Sequence, residues 1–175
     1  LKNLIYNFRA ISSPPDHFDE VFWGLDFGFN NPTALIKIGL YDGVFYVTDE
    51  AYRRGLTNSD LITLLHEKVP LNENIYADSA EPNRIEEIAR EGFRIYPAKK
   101  NVRDGIDHVK AQTVCVSQNC VNVLKEKETY KWKEDKDGNV LDEPVKFNDH
   151  AMDAIRYAIY THTEAVKIST ARIDL

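Results

Sequence analysis

Three strand-like runs near the start of the chain, separated by two short turns, constrain the fold more than any other feature of the sequence. The runs are VFWGLDFGF, ALIKIGL and VFYVTDEAY, and the turns contain Asn30-Asn31-Pro32 and Tyr41-Asp42-Gly43. Strands joined by such short turns pair with their neighbours in sequence, because a parallel crossover needs a longer connection. The sequence therefore predicts an antiparallel meander of three strands.

After residue 56, helical and strand-like segments alternate. Helices are predicted at residues 57–68, 81–92 and 103–118, and short strands at residues 73–78 and 93–98. This alternation is typical of parallel strands joined by crossover helices. Together with the meander, it predicts an α/β domain with one mixed five-stranded sheet flanked by helices.

The two ends of the chain and one charged segment complete the expected organisation. Residues 1–20 are expected to form a linker or arm, because the Ser-Ser-Pro-Pro run cannot continue a helix and Pro-Pro favours an extended spacer. Residues 21–175 then form the globular domain. Within residues 121–147, the Lys-Asp-Gly-Asn turn around Gly138 predicts an added β-hairpin. A last helix is predicted at residues 149–162, with an apolar face.

Composition limits the class of protein. Hydrophobic residues make up 43% and charged residues 29% of the chain, which is typical of a soluble globular domain. No run approaches the roughly 18 consecutive apolar residues of a membrane span, and no signal peptide is recognisable. The two cysteines, Cys115 and Cys120, are expected to be free thiols in a reducing compartment. The net charge of −6 predicts weak binding to nucleic acid by the chain alone, unless divalent cations offset the carboxylates.

Asp26 is the first candidate for a functional carboxylate. It lies between Gly24 and Gly28 in an otherwise apolar strand, where burying a carboxylate is costly unless the group is paired or binds a metal ion. A structural Asp that accepts backbone hydrogen bonds is the alternative interpretation. The two glycines favour the functional one, because we expect them to clear space for a ligand beside Asp26.

Asp78 is the second candidate, because it ends the predicted strand IYAD just before a helix. Ligand groups in open α/β sheets lie at such strand ends. The alternative is that Asp78 or Ser79 serves only as a turn or helix-capping group.

The first turn of the last helix carries a third group, Asp149, His150 and Asp153. Acids near a helix N-terminus are favoured by the helix dipole alone, and this explanation is preferred for Asp149, which we expect to cap the helix. It is less satisfactory for Asp153, because Arg156 and Tyr157 indicate a covered site. Three carboxylates would suit Mg²⁺ or Mn²⁺, and two such ions about 4 Å apart promote phosphodiester cleavage.

Four segments, in this order along the chain, resemble the C-terminal nuclease domain of the large terminase subunit of tailed bacteriophages: WGLDFGFNNPTAL, YADSAEPNRIEEI, GIDHVKAQ and FNDHAMDAIRYA. The resemblance implies an RNase H-like fold and an endonuclease that uses Mg²⁺ or Mn²⁺ to cut concatemeric double-stranded DNA during packaging. It also implies the terminase small subunit and the portal or prohead as partners, and a location in the host-cell cytoplasm without a membrane. Because no GxxxxGK[ST] motif occurs, the N-terminal ATPase domain of that family is expected to be missing from this chain.

The resemblance also implies roles for individual residues. The first two catalytic acids of the family fall on Asp26 and Asp78, and the third falls within the D-H-A-M-D segment. Asp153 is the preferred third metal ligand, with His150 as a nearby ligand or proton carrier and Asp149 as the lower-ranked choice. The family's hairpin near the DNA path corresponds to residues 131–145, with Lys127, Lys131, Lys133 and Lys136 as the residues expected to handle DNA.

Three alternatives remain at the level of sequence. A ribonuclease H or a Holliday-junction resolvase would share the acidic pattern and the chemistry. An actin-like ATPase is a different class, suggested by LDFGFNNPTA, although it needs a second phosphate loop and a longer chain. The last alternative is a non-catalytic docking module in which the acids are merely solvated.

Overall fold

The structure is a computed structural model that describes the backbone of residues 2–173 and the side chains of residues 2–164, 171 and 172. Within this part, the strands are Arg9–Ile11 (β1), Glu20–Asp26 (β2), Thr33–Tyr41 (β3), Val44–Arg53 (β4), Asn74–Ala77 (β5), Arg94–Pro97 (β6), Val114–Ser117 (β7), Trp132–Glu134 (β8) and Val140–Pro144 (β9). The helices are Asn58–Lys68 (α1), Pro82–Arg90 (α2), Val102–Lys110 (α3), Val121–Lys127 (α4) and His150–Ile173 (α5). None of these helices has the length and apolar character needed to cross a membrane.

The main sheet has seven strands in the order β1-β7-β4-β3-β2-β5-β6. Strands β2, β3 and β4 pair antiparallel, which confirms the predicted meander. Strands β5 and β6 continue the sheet in parallel from β2, as the alternating pattern predicted. The mixed α/β sheet is confirmed, but it has seven strands and not the five expected, because β1 and β7 extend it beyond β4.

Side chains alternate across the sheet and build one apolar core on each face. Trp23 and Leu25 of β2 belong to the core that α1 and α2 cover, whereas Phe22 faces the core that α5 covers. In the second core, Ala151, Ile155, Ala158 and Ile159 of α5 are fully buried, as the periodicity of the last helix predicted. Helix α5 thus lies across β2, β3 and β5 and begins at the end of β2 that carries Asp26.

Gly24 determines how closely α5 approaches β2. A Cβ atom at this position would lie 1.9 Å from the carbonyl oxygen of Ala154 in α5. A Cβ at Gly28 would lie 2.4 Å from the carbonyl oxygen of Asn31, within its own loop. The expectation that these glycines clear space for a ligand is therefore wrong, because one accommodates a helix and the other a tight turn.

Two segments differ from their predicted secondary structure. The helix expected over 103–118 ends at Lys110, and residues 114–117 form β7, which pairs in parallel with β4. The charged segment 121–147 begins with helix α4 before its hairpin. The backbone amides of Asn122 and Val123 at the start of α4 donate to Glu50 in β4, a partner 72 residues away for Asn122. A local sequence pattern does not reveal such a cap.

Part of the segment expected to be a linker belongs to the domain. Residues 9–11 form β1, an edge strand parallel to β7, and Ile5, Tyr6 and Phe8 are buried in the core beneath α5. Apolar side chains at these three positions explain the packing, since burial of each contributes roughly 1.5–3 kcal/mol. The connection of residues 1–20 to an ATPase domain stays a prediction.

The hairpin around Gly138 is confirmed as the β8–β9 pair, with Gly138 at φ +83° in its turn. Arg103 of α3 anchors it through Asp142, 2.6 Å away, and lies over the ring of Trp132. Lys127, however, ends α4 and donates to the carbonyl oxygen of Phe8 at 3.0 Å. Its inclusion among the hairpin lysines was wrong, whereas Lys131, Lys133 and Lys136 lie at or within the hairpin. Cys115 and Cys120 are free, as predicted, and both are buried.

Candidate active site

Asp26 and His150 meet where β2 ends and α5 begins. Asp26 is the last residue of its strand and is 7% exposed, and Nδ1 of His150 lies 3.3 Å from its Oδ2. The pKa of Asp26 is raised to about 7, mainly by burial; the charges of Asp153 and Asp78 add to the rise, and the contact with His150 opposes it. The same contact raises the pKa of His150. Asp26 is buried, His150 is partly buried, and their contact shifts the pKa of each residue.

Asp153 lies one turn into α5 and is also 7% exposed. Its Oδ1 accepts a hydrogen bond of 2.8 Å from Arg156, which is itself buried. Burial raises the pKa of Asp153 and Arg156 opposes this shift. The ion pair fixes the direction of the carboxylate, and Gly105 of α3 leaves room for the Arg156 side chain, since a Cβ there would lie 2.9 Å from Arg156 Cδ.

Asp149 immediately precedes α5, yet it is not the residue that satisfies the amides of the first turn. Those of Ala151 and Met152 donate to Oε1 of Glu126 at 2.8 and 3.1 Å. Asp149 instead lines the cleft beside Asp26, and its Oδ2 lies 3.8 Å from Nζ of Lys146. The expected capping role of Asp149 is wrong, because the carboxylate of α4 takes that place.

Asp78 follows β5, which pairs in parallel with β2 so that Ala77 lies opposite Leu25. Its backbone amide donates to Leu25 O at 3.3 Å, and its Oδ1 accepts from the amide of Ala80 at 2.9 Å. The turn role considered for Asp78 is thus present. The carboxylate is half-buried and does not line the cleft of Asp26, but its charge acts on both Asp26 and Tyr157.

Tyr157 of α5 is a residue that sequence reasoning used only as a sign of burial. Burial raises the pKa of its hydroxyl, and the charges of Asp153, Asp26 and Asp78 raise it further, in that order. The three acids that sequence analysis ranked highest therefore act on one buried tyrosine.

The cleft that contains Asp26 has a volume of about 700 Å³. Asp26, Asp149, His150 and Asp153 line it, together with the loop 27–31, Arg54 and residues 146–148. Phe29 and Phe147 are exposed at its edge, 55% and 61% respectively. Arg54 donates to Asn30 O at 2.6 Å and so ties the loop of Phe29 to the end of β4. Acidic side chains thus line a cleft whose rim carries cationic and aromatic groups.

The donor set of the site suits a hard divalent cation, although the side chains do not enclose one in their present orientations. Within the described residues, no three His, Cys, Asp or Glu side chains converge closely enough to hold a metal ion. The raised pKa of Asp26, caused by burial and neighbouring acids, is the condition that a cation beside these carboxylates would relieve. Carboxylate oxygens are also the ligands that Mg²⁺ and Mn²⁺ prefer.

Glu126 is the main residue that sequence reasoning missed. It is 3% exposed and accepts hydrogen bonds from two amides of α5 and, through Oε2, from the hydroxyl of Tyr52 at 2.6 Å. Burial raises its pKa, and the hydrogen bonds oppose the shift. A glutamate in the run LKEKE gives no local signal of burial, so only its long-range partners identify it.

The chain is similar to known proteins over most of its length. Residues 26–161 match the family described as "Terminase RNAseH like domain". The chain is 29% identical over 155 residues to the PBSX phage terminase large subunit of Bacillus subtilis (strain 168), covering 85% of this chain and 36% of that protein. It is 28% identical over 158 residues to the terminase large subunit of Escherichia phage T5, covering 83% of this chain and 36% of that protein. The chain thus spans about a third of the length of these curated relatives.

Among solved structures, the fold resembles the nuclease domain of g2p, the large terminase of bacteriophage SPP1, determined with bound Mn. The TM-score is 0.80 at 24% identity, and the match covers 90% of this chain and 98% of that chain. At this identity the likeness shows the fold, which confirms the expected RNase H-like architecture.

Proposed function

This chain belongs to the family of terminase RNase H-like domains, and we propose that it is a divalent-metal-dependent endonuclease that cuts concatemeric double-stranded DNA during phage genome packaging. The observation that carries the proposal is the position of Asp26 at the end of β2, where Asp78 after β5 and Asp153 on α5 lie near enough for their charges to act on it. The charges of the other two raise the pKa of Asp26. Like charges are brought together in this way in sites that bind a cation.

Asp26, Asp78 and Asp153 would hold Mg²⁺ or Mn²⁺, with Asp149 as the lower-ranked ligand. When bound, such ions stabilise the charge that develops on a phosphodiester and lower the pKa of water. Arg156 orients Asp153 through their 2.8 Å contact. His150 lies against Asp26 at 3.3 Å, where its imidazole can ligate a metal when neutral or hold and release a proton near neutral pH.

The rim of the cleft carries cationic side chains that can attract a polyanion, although the chain as a whole is negatively charged. Arg54 and Lys146 are exposed beside the acids and can contact phosphates, as can Lys131, Lys133 and Lys136 of the hairpin. The net charge of −6 still opposes binding, so we propose weak cleavage without sequence preference by the isolated domain. In the longer protein, we propose that an ATPase domain, the terminase small subunit and the portal bring DNA to it in the host-cell cytoplasm.

Nicking of supercoiled plasmid in the presence of Mn²⁺ or Mg²⁺ tests the proposal, with an RNA–DNA hybrid as a second substrate. We expect plasmid cleavage with either ion and none in EDTA. Asp26→Ala should abolish cleavage, whereas Glu87→Ala, which removes an exposed acid from α2, should leave it at the wild-type level. Preference for the hybrid would favour a ribonuclease H, and failure to cut either substrate with either ion would favour a docking module.

A further inference from the structure

The first turn of α5 is held in place by a carboxylate from another helix. The amides of Ala151 and Met152 both donate to one oxygen, Oε1 of Glu126, at 2.8 and 3.1 Å. The first amides of a helix have no partner within the helix, and buried amides without an acceptor are costly. His150 precedes these two residues directly, and Asp153 follows them. The bonds from Glu126 therefore fix the segment that carries both residues of the candidate site.

Glu126 is in turn fixed from β4, directly by Tyr52 and indirectly by Glu50 through the start of α4. Tyr52 of β4 donates its hydroxyl to Oε2 of Glu126 at 2.6 Å, which leaves Oε1 for the amides of α5. Glu50, two residues earlier on the same strand, accepts from the amides of Asn122 and Val123 at 2.9 and 3.0 Å and so positions the start of α4. One strand of the sheet thus orients α4 and the side chain that α4 extends toward α5.

We infer that Glu126 is a positioning residue for this site: it couples β4 to the first turn of α5 and holds His150 and Asp153 opposite Asp26. The inference rests on the proposed function, because it assigns the turn a role in metal binding and cleavage. Glu126 does not line the cleft of Asp26, so it acts through the helix. Residues that orient metal ligands in this way typically change metal affinity or activity about 10- to 100-fold when they are mutated.

Three variants separate position from charge. Glu126→Ala removes the acceptor, Glu126→Asp keeps the charge but shortens the side chain, and Glu126→Gln keeps an oxygen at the same reach without the charge. We expect Glu126→Ala to lower both Mn²⁺ affinity and kcat by about 10- to 100-fold, with KM for plasmid DNA close to that of the wild type. Glu126→Asp should show a smaller loss in both quantities, and Glu126→Gln should retain most of them.

Thr57→Ala is the matched control for a general loss of stability. Thr57 caps α1 by accepting from the amide of Asp60 at 3.1 Å, on the face of the sheet away from α5. Its replacement should lower thermal stability without lowering Mn²⁺ affinity. An equal loss of affinity in Thr57→Ala would overturn the inference, as would wild-type affinity in Glu126→Ala. Equal losses in Glu126→Gln and Glu126→Ala would show that charge and not position is required.

Hydrogen exchange in the metal-free protein gives a readout that does not depend on the proposed function. The amides of residues 151–153 should exchange faster in Glu126→Ala than in the wild type, and at the wild-type rate in Thr57→Ala. If the wild type neither binds Mn²⁺ nor cuts DNA, the proposed function fails, and this exchange experiment still decides whether Glu126 holds the turn. Unchanged exchange at these amides in Glu126→Ala would refute that role. If Glu126→Ala does not fold, the same comparison is made with Glu126→Asp.

Discussion

Gly24→Ala should disrupt the candidate site without touching any of its side chains. The added Cβ would lie 1.9 Å from the carbonyl oxygen and 2.6 Å from the carbonyl carbon of Ala154, and 3.2 Å from Cβ of Ala158. Ordinary contacts of a Cβ begin near 3.4 Å, so β2 and α5 must separate by about 1.5 Å. The atoms in the way are main-chain atoms of a buried helix, and no rotation of a side chain relieves the overlap.

The expected loss of stability follows from this overlap. Forcing extra atoms into a packed core costs about 1–3 kcal/mol, and a backbone overlap of this size places Gly24→Ala near 3 kcal/mol. For a domain of this length, the melting temperature should fall by roughly 6–12 °C. Because α5 carries His150 and Asp153, a shift of about 1 Å should also lower cleavage roughly 100-fold.

Urea unfolding, differential scanning calorimetry and Mn²⁺-dependent plasmid nicking measure these effects. Gly43→Ala is the control, since Gly43 has φ +75° but no neighbour within 4 Å of the added atom, and it should cost only about 1 kcal/mol of backbone strain. Adding Ala154→Gly to Gly24→Ala should not restore stability, because the overlap involves the carbonyl group. Wild-type stability of Gly24→Ala, or rescue by Ala154→Gly, would refute the packing argument.

Three further changes test other parts of the account. Burial lowers the pKa of His162, whose Nδ1 lies 2.7 Å from the Tyr76 hydroxyl and whose Nε2 lies 3.4 Å from Glu20. The stability that neutral His162 contributes should be full above the unfolded pKa of about 6.5 and should be lost as pH falls through the folded pKa. Urea unfolding of His162→Gln should therefore depend less on pH than that of the wild type. Deleting residues 134–140 should change duplex cleavage but not Mn²⁺ binding, and loss of the metal would show that the hairpin belongs to the site. In EDTA at pH 8, Asp26→Ala should leave the fold intact and unfold at a temperature no lower than that of the wild type, because it removes a buried charge; a clearly lower melting temperature would count against that reason.

The sequence predicted the elements whose signals are local. The strands of the meander and the hairpin around Gly138 follow from alternation and turn residues, and both are confirmed. Sequence analysis placed Asp26 in a strand and His150 in the first turn of the last helix, whereas the contact between the two residues, 124 positions apart, is seen only in the structure. Local patterns located the two residues within their elements, and the fold determines how those elements meet.

The features that sequence analysis missed depend on distant partners. Strand β7 is short, and its pairing with β4 and β1 makes it a strand. Gly24 indicated open space beside a carboxylate, whereas the space is filled by α5. Asp149 was expected to cap α5 because it precedes the helix, but Glu126 competes for the same amides from a position 25 residues earlier than Ala151. In each case a local pattern suggested one structure, and a contact with a residue distant in sequence determined another.

Calorimetric titration of the domain with Mn²⁺ tests the central claim most directly, which is that Asp26 and Asp153 hold a divalent cation between β2 and α5. The wild type should bind about two ions, Asp26→Ala and Asp153→Asn should bind none at the same concentrations, and Asp149→Ala should retain most of the affinity. Asp153→Asn keeps the shape of the side chain and removes the charge that a cation needs. Wild-type Mn²⁺ binding by Asp26→Ala would contradict the account, and loss of binding in Asp149→Ala but not in Asp153→Asn would move the third ligand by one helical turn.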